Sequence, residues 1–275
     1  MNLHKHTLLV AIICAAFPAL ATAAGGYNDG NENVVEQTLP DAGWSMGSAR
    51  VTLGMGLVDA TRYVGSNERR VRLMPLLNAT WGNGWFAGFP RGVGYNFSTD
   101  PRLEYGLRLG IDMGRRENVS PALNGLGDIN PRLEPGGFVN YSLTQRLRLT
   151  TGLRYGSGRD SQGELLDMGL HYTQPLAENQ SLTLGVATTY ANSNYMQSFY
   201  GVTAAQSATS GYKVYTPGAG MREMDLSASY RYKIDRQWSL LTGATLGKLG
   251  SSVTAAPMTL SNAHNSVYVQ TNYTF

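Results

Sequence analysis

Once a short leader is set aside, the chain has no cysteine and very little lysine. Its one cysteine, Cys14, lies within the first 23 residues, and lysine after that point is confined to Lys213, Lys233 and Lys248. A mature chain without thiols has no disulfide framework and no cysteine metal site, so its stability must come from backbone hydrogen bonding and packing instead of staples. Charge is scarce as well. Asp, Glu, Lys and Arg make up 15% of the chain, against roughly 25% in ordinary soluble domains. A net charge of +3 is too small to point to a nucleic-acid partner. No apolar run after residue 23 approaches the roughly 20 residues that a transmembrane helix needs. Two classes are left: a soluble all-β protein, or a closed transmembrane barrel, in which every backbone polar group is paired.

The leader itself is informative. His4, Lys5 and His6 form a short basic segment, residues 7–17 are apolar, Pro18 breaks the run, and Ala21-Thr22-Ala23 supplies small residues for cleavage. Ile13 is too large for the position before a lipoprotein cysteine. The pattern predicts a signal peptide over residues 1–23, a periplasmic segment over 24–43 and a barrel over 44–275.

What the sequence does contain is strict alternation. In 101–114 one face reads Leu103, Tyr105, Leu107, Leu109, Ile111, Met113 and the other Arg102, Glu104, Gly106, Arg108, Gly110, Asp112. A period of two with an unbroken apolar face is a strand, because helical spacing would scatter those side chains around a cylinder. The same pattern recurs over 46–58, 70–81, 92–98, 127–143, 146–156, 163–174, 180–191, 224–234, 237–247 and 265–275.

Alternation alone does not say which face looks inward. Three other features favour a membrane barrel. Aromatics gather at strand ends (Tyr95, Phe97, Tyr141, Tyr155, Tyr172, Tyr190, Tyr232, Trp238, Tyr273), as interfacial girdles do. The strands are about twice the soluble norm of 5–6 residues. Connections alternate between tight turns, at Gly82-Asn83-Gly84, Thr99-Asp100-Pro101, Thr144-Gln145, 175–179 and Asp235-Arg236, and longer segments at 60–69, 115–126, 157–162, 192–220 and 248–264. If residues 84–98 make two short strands bent at Pro90-Arg91-Gly92, every tight turn falls on the periplasmic side. The count is then twelve antiparallel up-and-down strands, with ten as the alternative. The last strand alternates through Val267, Val269, Thr271, Tyr273 and Phe275, so Tyr273 and Phe275 are expected to form the signal read by the barrel assembly machinery.

With these segments laid out, the chain resembles the MipA/OmpV family of MltA-interacting outer-membrane proteins. The matching stretches are Tyr63-Val64-Gly65-Ser66, Pro75-Leu76, Trp81-Gly82-Asn83-Gly84, Arg91-Gly92-Val93-Gly94-Tyr95, Gly125-Leu126-Gly127-Asp128-Ile129, Tyr195-Met196-Gln197-Ser198-Phe199-Tyr200-Gly201-Val202 and Gly218-Ala219-Gly220. Pro90 departs from the family, which more often has a polar residue there. The resemblance implies a non-enzymatic protein of the cell outer membrane, without cofactors, in contact with lipid and lipopolysaccharide. It further implies a scaffold joining a lytic transglycosylase to a peptidoglycan synthase of the penicillin-binding class, or a surface or envelope-stress protein. It carries over no catalytic residue.

Three candidate sites follow from the residues. If apolar faces meet lipid, then Arg50, Arg70, Arg72, Arg102, Glu104, Arg108, Asp112, Arg132, Glu134, Arg148, Arg154, Asp167, His171, Asp225 and Arg231 line the lumen. They are expected to form a structural network of arginine forks and carboxylates. The competing reading is a narrow channel for small anions. A hydrolytic site is the second candidate, but Asp167 and His171 stand roughly 13 Å apart along one strand, beyond the reach a base and its orienting acid need. His264 sits at a loop end with no assigned role. The third candidate is the 192–220 connection, where Tyr195, Met196, Gln197, Phe199, Tyr200, Tyr212 and Tyr215 form either a cap over the mouth or a recognition surface. Gly125-Leu126-Gly127-Asp128 is a turn and not a phosphate loop, since no helix is expected after it.

Overall fold

A computed structural model describes residues 49–275. The expected leader, 1–23, the expected periplasmic segment, 24–43, and residues 44–48 of the expected barrel lie outside that range. Twelve strands form one closed antiparallel barrel in which each strand pairs with its neighbours in sequence and the last pairs with the first. They are β1 (Arg50–Thr61), β2 (Arg69–Thr80), β3 (Trp85–Phe89), β4 (Gly92–Asn96), β5 (Leu103–Asp112), β6 (Arg132–Ser142), β7 (Leu147–Ser157), β8 (Gly163–Ala177), β9 (Gln180–Ala191), β10 (Gly220–Lys233), β11 (Trp238–Leu249) and β12 (Ala263–Thr274). Closure runs from Thr52 opposite Thr274 to Asp59 opposite Val267, and the Phe275 amide donates to the Val51 carbonyl at 2.9 Å. No helix among the described residues is long and apolar enough to cross a membrane.

The count of twelve depends on the bend at Pro90-Arg91. There the chain turns back after five residues, so β3 and β4 form a hairpin half the height of the wall. Gly92, at φ +86°, takes the left-handed conformation that ends the turn. The ring of Phe86 sits where a side chain at Gly94 would project: a Cβ there would lie 2.3 Å from Phe86 Cζ. The glycine therefore gives the aromatic a place against the sheet.

Strand faces follow the alternation. Leu107, Leu109, Leu133, Leu153, Leu226 and Val267 are exposed on the outside, while Arg154, Glu134, Asn140 and Asp225 are buried inside. Rings meet edge to face along the turn end, Trp85 with Tyr95 at 5.3 Å and Trp238 with Tyr273 at 4.9 Å. Tight turns are closed by their own side chains. Asp235 Oδ1 accepts from the amides of Gln237 and Trp238, both at 2.7 Å, and those amides hold its carboxyl below the ordinary range.

Several boundaries differ from the sequence reading. The strand expected over 127–143 begins only at Arg132, because Asn130-Pro131 breaks the run and leaves Ile129 in a single bridge to Arg115. β10 begins at Gly220 and not at 224. The strand expected over 46–58 continues to Thr61 as β1, and 46–48 lie outside the described residues. The long connections are also partly helical. In 192–219 these are α1 (Ser193–Tyr200), capped by Asn192, whose side chain accepts from the Tyr195 amide, and α2 (Ala204–Ser210), opened by a Thr203/Gln206 capping box and closed by Gly211 in the left-handed region. A single turn, α3 (Ser251–Thr254), lies between β11 and β12.

Candidate functional site

The lumen begins with Arg154 on β7. Its Nε donates to Asp167 Oδ2 at 2.8 Å and its Nη2 to Oδ1 at 3.1 Å, while Nη1 reaches Glu134 Oε2 at 3.4 Å. Thr189 also donates to Asp167, at 2.9 Å. A second pair, Arg148 with Glu104 at 2.5 Å, lies nearer the turn end. His171 is buried beside Thr150, Nε2 to Oγ1 at 3.2 Å. Asp167 is thus held by Arg154 on β7 and Thr189 on β9, and His171 meets a separate residue of β7, Thr150.

Other expected lumen residues are placed differently. Asp112 takes backbone amides, from Gly114 at 2.7 Å and Gly158 at 3.3 Å, so it ties down two loops. Arg50, Arg102 and Arg132 lie exposed at the barrel rims, and Arg132 donates to the Arg159 carbonyl at 2.8 Å. Arg70 is exposed too. Arg72 is buried and donates to the Thr61 carbonyl at 3.0 Å. Arg108 helps line a cavity of about 20 Å³ with Asn140, Thr150 and Asp167. Arg231 is partly buried inside β10.

An apolar layer interrupts this polar interior. Val58, Ala60, Met74, Leu76, Phe89, Leu241 and Tyr268 pack together across five strands. The sequence hint was the loss of alternation in Leu73-Met74-Pro75-Leu76-Leu77, where both faces of β2 are apolar.

The loop end is filled by a folded cap. Tyr63 and Val64 from the first long loop, Leu123, Leu126 and Ile129 from the next, Tyr195, Met196, Phe199, Tyr200 and Val202 from the α1 region, and Val253, Ala256 and Met258 around α3 form one buried apolar cluster. Tyr195 and Phe199 stack at 4.4 Å. Hydrogen bonds sew the loops together. Tyr63 donates to the Met258 carbonyl at 2.7 Å and Tyr215 to that of Ser252 at 2.7 Å. Arg159 reaches three carbonyls over 126–128. Burial pushes the Tyr63 phenol up to about 12. Of the seven side chains singled out in the sequence, Tyr195, Met196, Phe199 and Tyr200 turn into this core, Tyr212 and Tyr215 pack against it half-buried, and Gln197 is half-buried. Tyr195, Met196, Phe199 and Tyr200 build the cap from within, and Gln197, Tyr212 and Tyr215 keep part of their surface accessible.

Beneath the cap lies a cluster that the sequence reading missed. His264 stands at the end of a loop, as the second residue of β12, but it is buried and points inward. Its Nε2 is 3.0 Å from Asp225 Oδ1 and 3.6 Å from Glu223 Oε2. Arg222 pairs with Glu223 and donates to the Tyr195 hydroxyl at 2.7 Å, linking the cluster to the cap. Asp225 and His264 come together because they flank Gly247 in register, Asp225 opposite Gly247 on β11 and Gly247 opposite His264 on β12. No local pattern reveals that row.

Comparison with known proteins adds the following. Residues 53–275 match the sequence signature of a family described as MltA-interacting protein MipA. Two curated relatives named MltA-interacting protein, from Escherichia coli (strain K12) and Shigella flexneri, are each 27% identical over 224 residues, covering 79% of this chain and 87% of theirs. Among solved structures, the KdgM porin is similar with a TM-score of 0.44 and 11% identity over 82% of this chain and 99% of that one. For the NanC porin the values are 0.46 and 11%, over 81% and 98%.

Proposed function

The chain belongs to the MltA-interacting protein family, and from that premise we propose that it is a non-enzymatic scaffold of the bacterial outer membrane. In this reading the apolar outer face meets lipid, the cap faces the cell surface, and the tight turns face the periplasm. There the barrel holds a lytic transglycosylase beside a penicillin-binding protein. The relatives' shared name supports the first partner.

The observation that carries the scaffold reading over a channel is the cap. A conducting barrel keeps a water column through its mouth, as porins do. Here four of the five long loops contribute buried apolar side chains to one core at that end, and Arg159 in the fifth is bonded to it. Below it, the cavity beside Arg108 measures about 20 Å³, room for about one water.

Cross-linking in intact envelopes followed by capture of the barrel tests the scaffold, with enrichment of a lytic transglycosylase as the expected result. Planar-bilayer recording of the refolded barrel is the counter-test. A steady open-channel current without partner enrichment would replace the scaffold with the narrow channel.

A further inference from the structure

We propose that Glu223, Asp225 and His264 form a binding site for a divalent transition-metal cation of the zinc class, set in the lumen directly beneath the cap. The three offer one ligand atom each, all within 4.8 Å of one another. Zinc bonds of about 2.0–2.2 Å in a tetrahedron separate neighbouring ligand atoms by about 3.4 Å. The two separations from His264 Nε2, 3.0 and 3.6 Å, fall on either side of that value. One imidazole and two carboxylates suit zinc and its first-row neighbours better than calcium or magnesium, which take oxygen alone.

The buried carboxylate oxygens point to a missing partner. Oδ2 of Asp225 and Oε2 of Glu223 are buried without a hydrogen-bond donor, the residues being 3% and 0% exposed, and Asp225 Oδ1 meets only His264 Nε2, at 3.0 Å. Buried carboxylates of this kind are costly unless a cation meets them. Arg222 engages Glu223 through Oε1, leaving Oε2 turned to the cluster. Gly247 lets the ligand atoms meet: a Cβ there would lie 2.2 Å from His264 Cε1, 2.4 Å from its Nε2 and 2.6 Å from Asp225 Oδ1, so the imidazole and the carboxylate converge over bare backbone. An ion bound here ties β10 to β12 across β11, and Arg222 passes that restraint to Tyr195 in the cap.

The test uses the full mature barrel, refolded in detergent and stripped with a chelator. Titrated Co²⁺ is expected to bind with one-to-one stoichiometry, to give visible ligand-field bands of a nitrogen–oxygen site, and to be displaced by Zn²⁺. Zn²⁺ should also raise the unfolding temperature saturably, as any ligand of the folded state does. His264→Gln and Asp225→Asn should each weaken Co²⁺ binding by about a hundredfold, at least the loss seen when even an outer-shell partner is removed. Folding of each variant is verified by heat-modifiable mobility. If neither variant folds, X-ray absorption of the Co²⁺-loaded wild type decides the matter, one imidazole in the coordination shell supporting the site and none overturning it. Failure of the stripped wild type to take up either ion, or equal uptake by folded variants, would show that the three residues form only an internal ion-pair cluster.

Discussion

Arg154 grips Asp167 by two parallel hydrogen bonds, Nε to Oδ2 and Nη2 to Oδ1, across the β7–β8 pair inside the barrel. The fork matches the carboxylate in shape as well as charge, and little water reaches it, with the two side chains 8% and 13% exposed. It holds together the wall that carries most of the lumen network.

Asp167→Asn leaves that guanidinium with a weaker partner and should destabilise the barrel by about 3–5 kcal/mol. Arg154→Met with Asp167→Leu and Glu134→Gln should recover much of the loss, since neither carboxylate that faced Arg154 is then left charged without it. Urea titration of the heat-modifiable band reads both. A midpoint for Asp167→Asn equal to that of the wild type would mean the pair contributes nothing.

Leu107, opposite Gly137 on β6 and 62% exposed, is assigned to the lipid face, and Leu241, at 1%, to the apolar layer inside. Leu107→Ala should cost little, because lipid fills the gap, whereas Leu107→Arg should cost about 2–4 kcal/mol. Leu241→Ala leaves a cavity that lipid does not reach and should cost about 2–5 kcal/mol. The three refolding free energies in the same detergent or lipid would contradict the face assignment if the two Leu107 variants proved alike.

Phe199→Ala removes a ring from the centre of the cap but from no strand. Protease should then cut within 201–219 at rates well above wild type, while the β-sheet circular dichroism and heat-modifiable mobility stay unchanged. If cutting is unaffected, the cap does not depend on its apolar core.

The cap should also open in alkali. Burial raises the Tyr63 phenol from 10.0 to about 12, with Tyr212 adding to the shift and Arg115 opposing it. A group whose folded value is raised contributes stability below its unfolded value, and that contribution is lost as pH climbs through the folded one. Between pH 10 and about 12 the cap should therefore lose about 2–3 kcal/mol from this residue. Tyr63→Phe should flatten that part of the curve. Hydrogen exchange over 192–219 against pH compares the two proteins, and identical alkaline limbs would remove Tyr63 from the account.

By itself the sequence determined the strands, their outward and inward faces, and the count of twelve through the bend at Pro90-Arg91-Gly92. The strands rest on a period of two that any short window displays. The faces rest on aromatic strand ends, strand length and the order of turns, and the count on tight and long connections taking turns. It also placed Arg154, Asp167, Glu134 and Asp225 inside. The tertiary structure decided which of them meet. Asp112 takes amides of Gly114 and Gly158 instead of an arginine. Met74, Leu76, Leu241 and Tyr268 form one layer because β1, β2, β11 and β12 adjoin around the closure. The helical loops became a cap only when their apolar side chains shared a core none could build alone. Glu223, Asp225 and His264 show the limit most clearly. His264 looked like a loop residue because nothing beside it in sequence marks its role. Its partners lie two strands away, and a one-residue slip in the β11 register would turn it from them. Register between strands is set by closure of the whole barrel, and no local stretch of sequence records it.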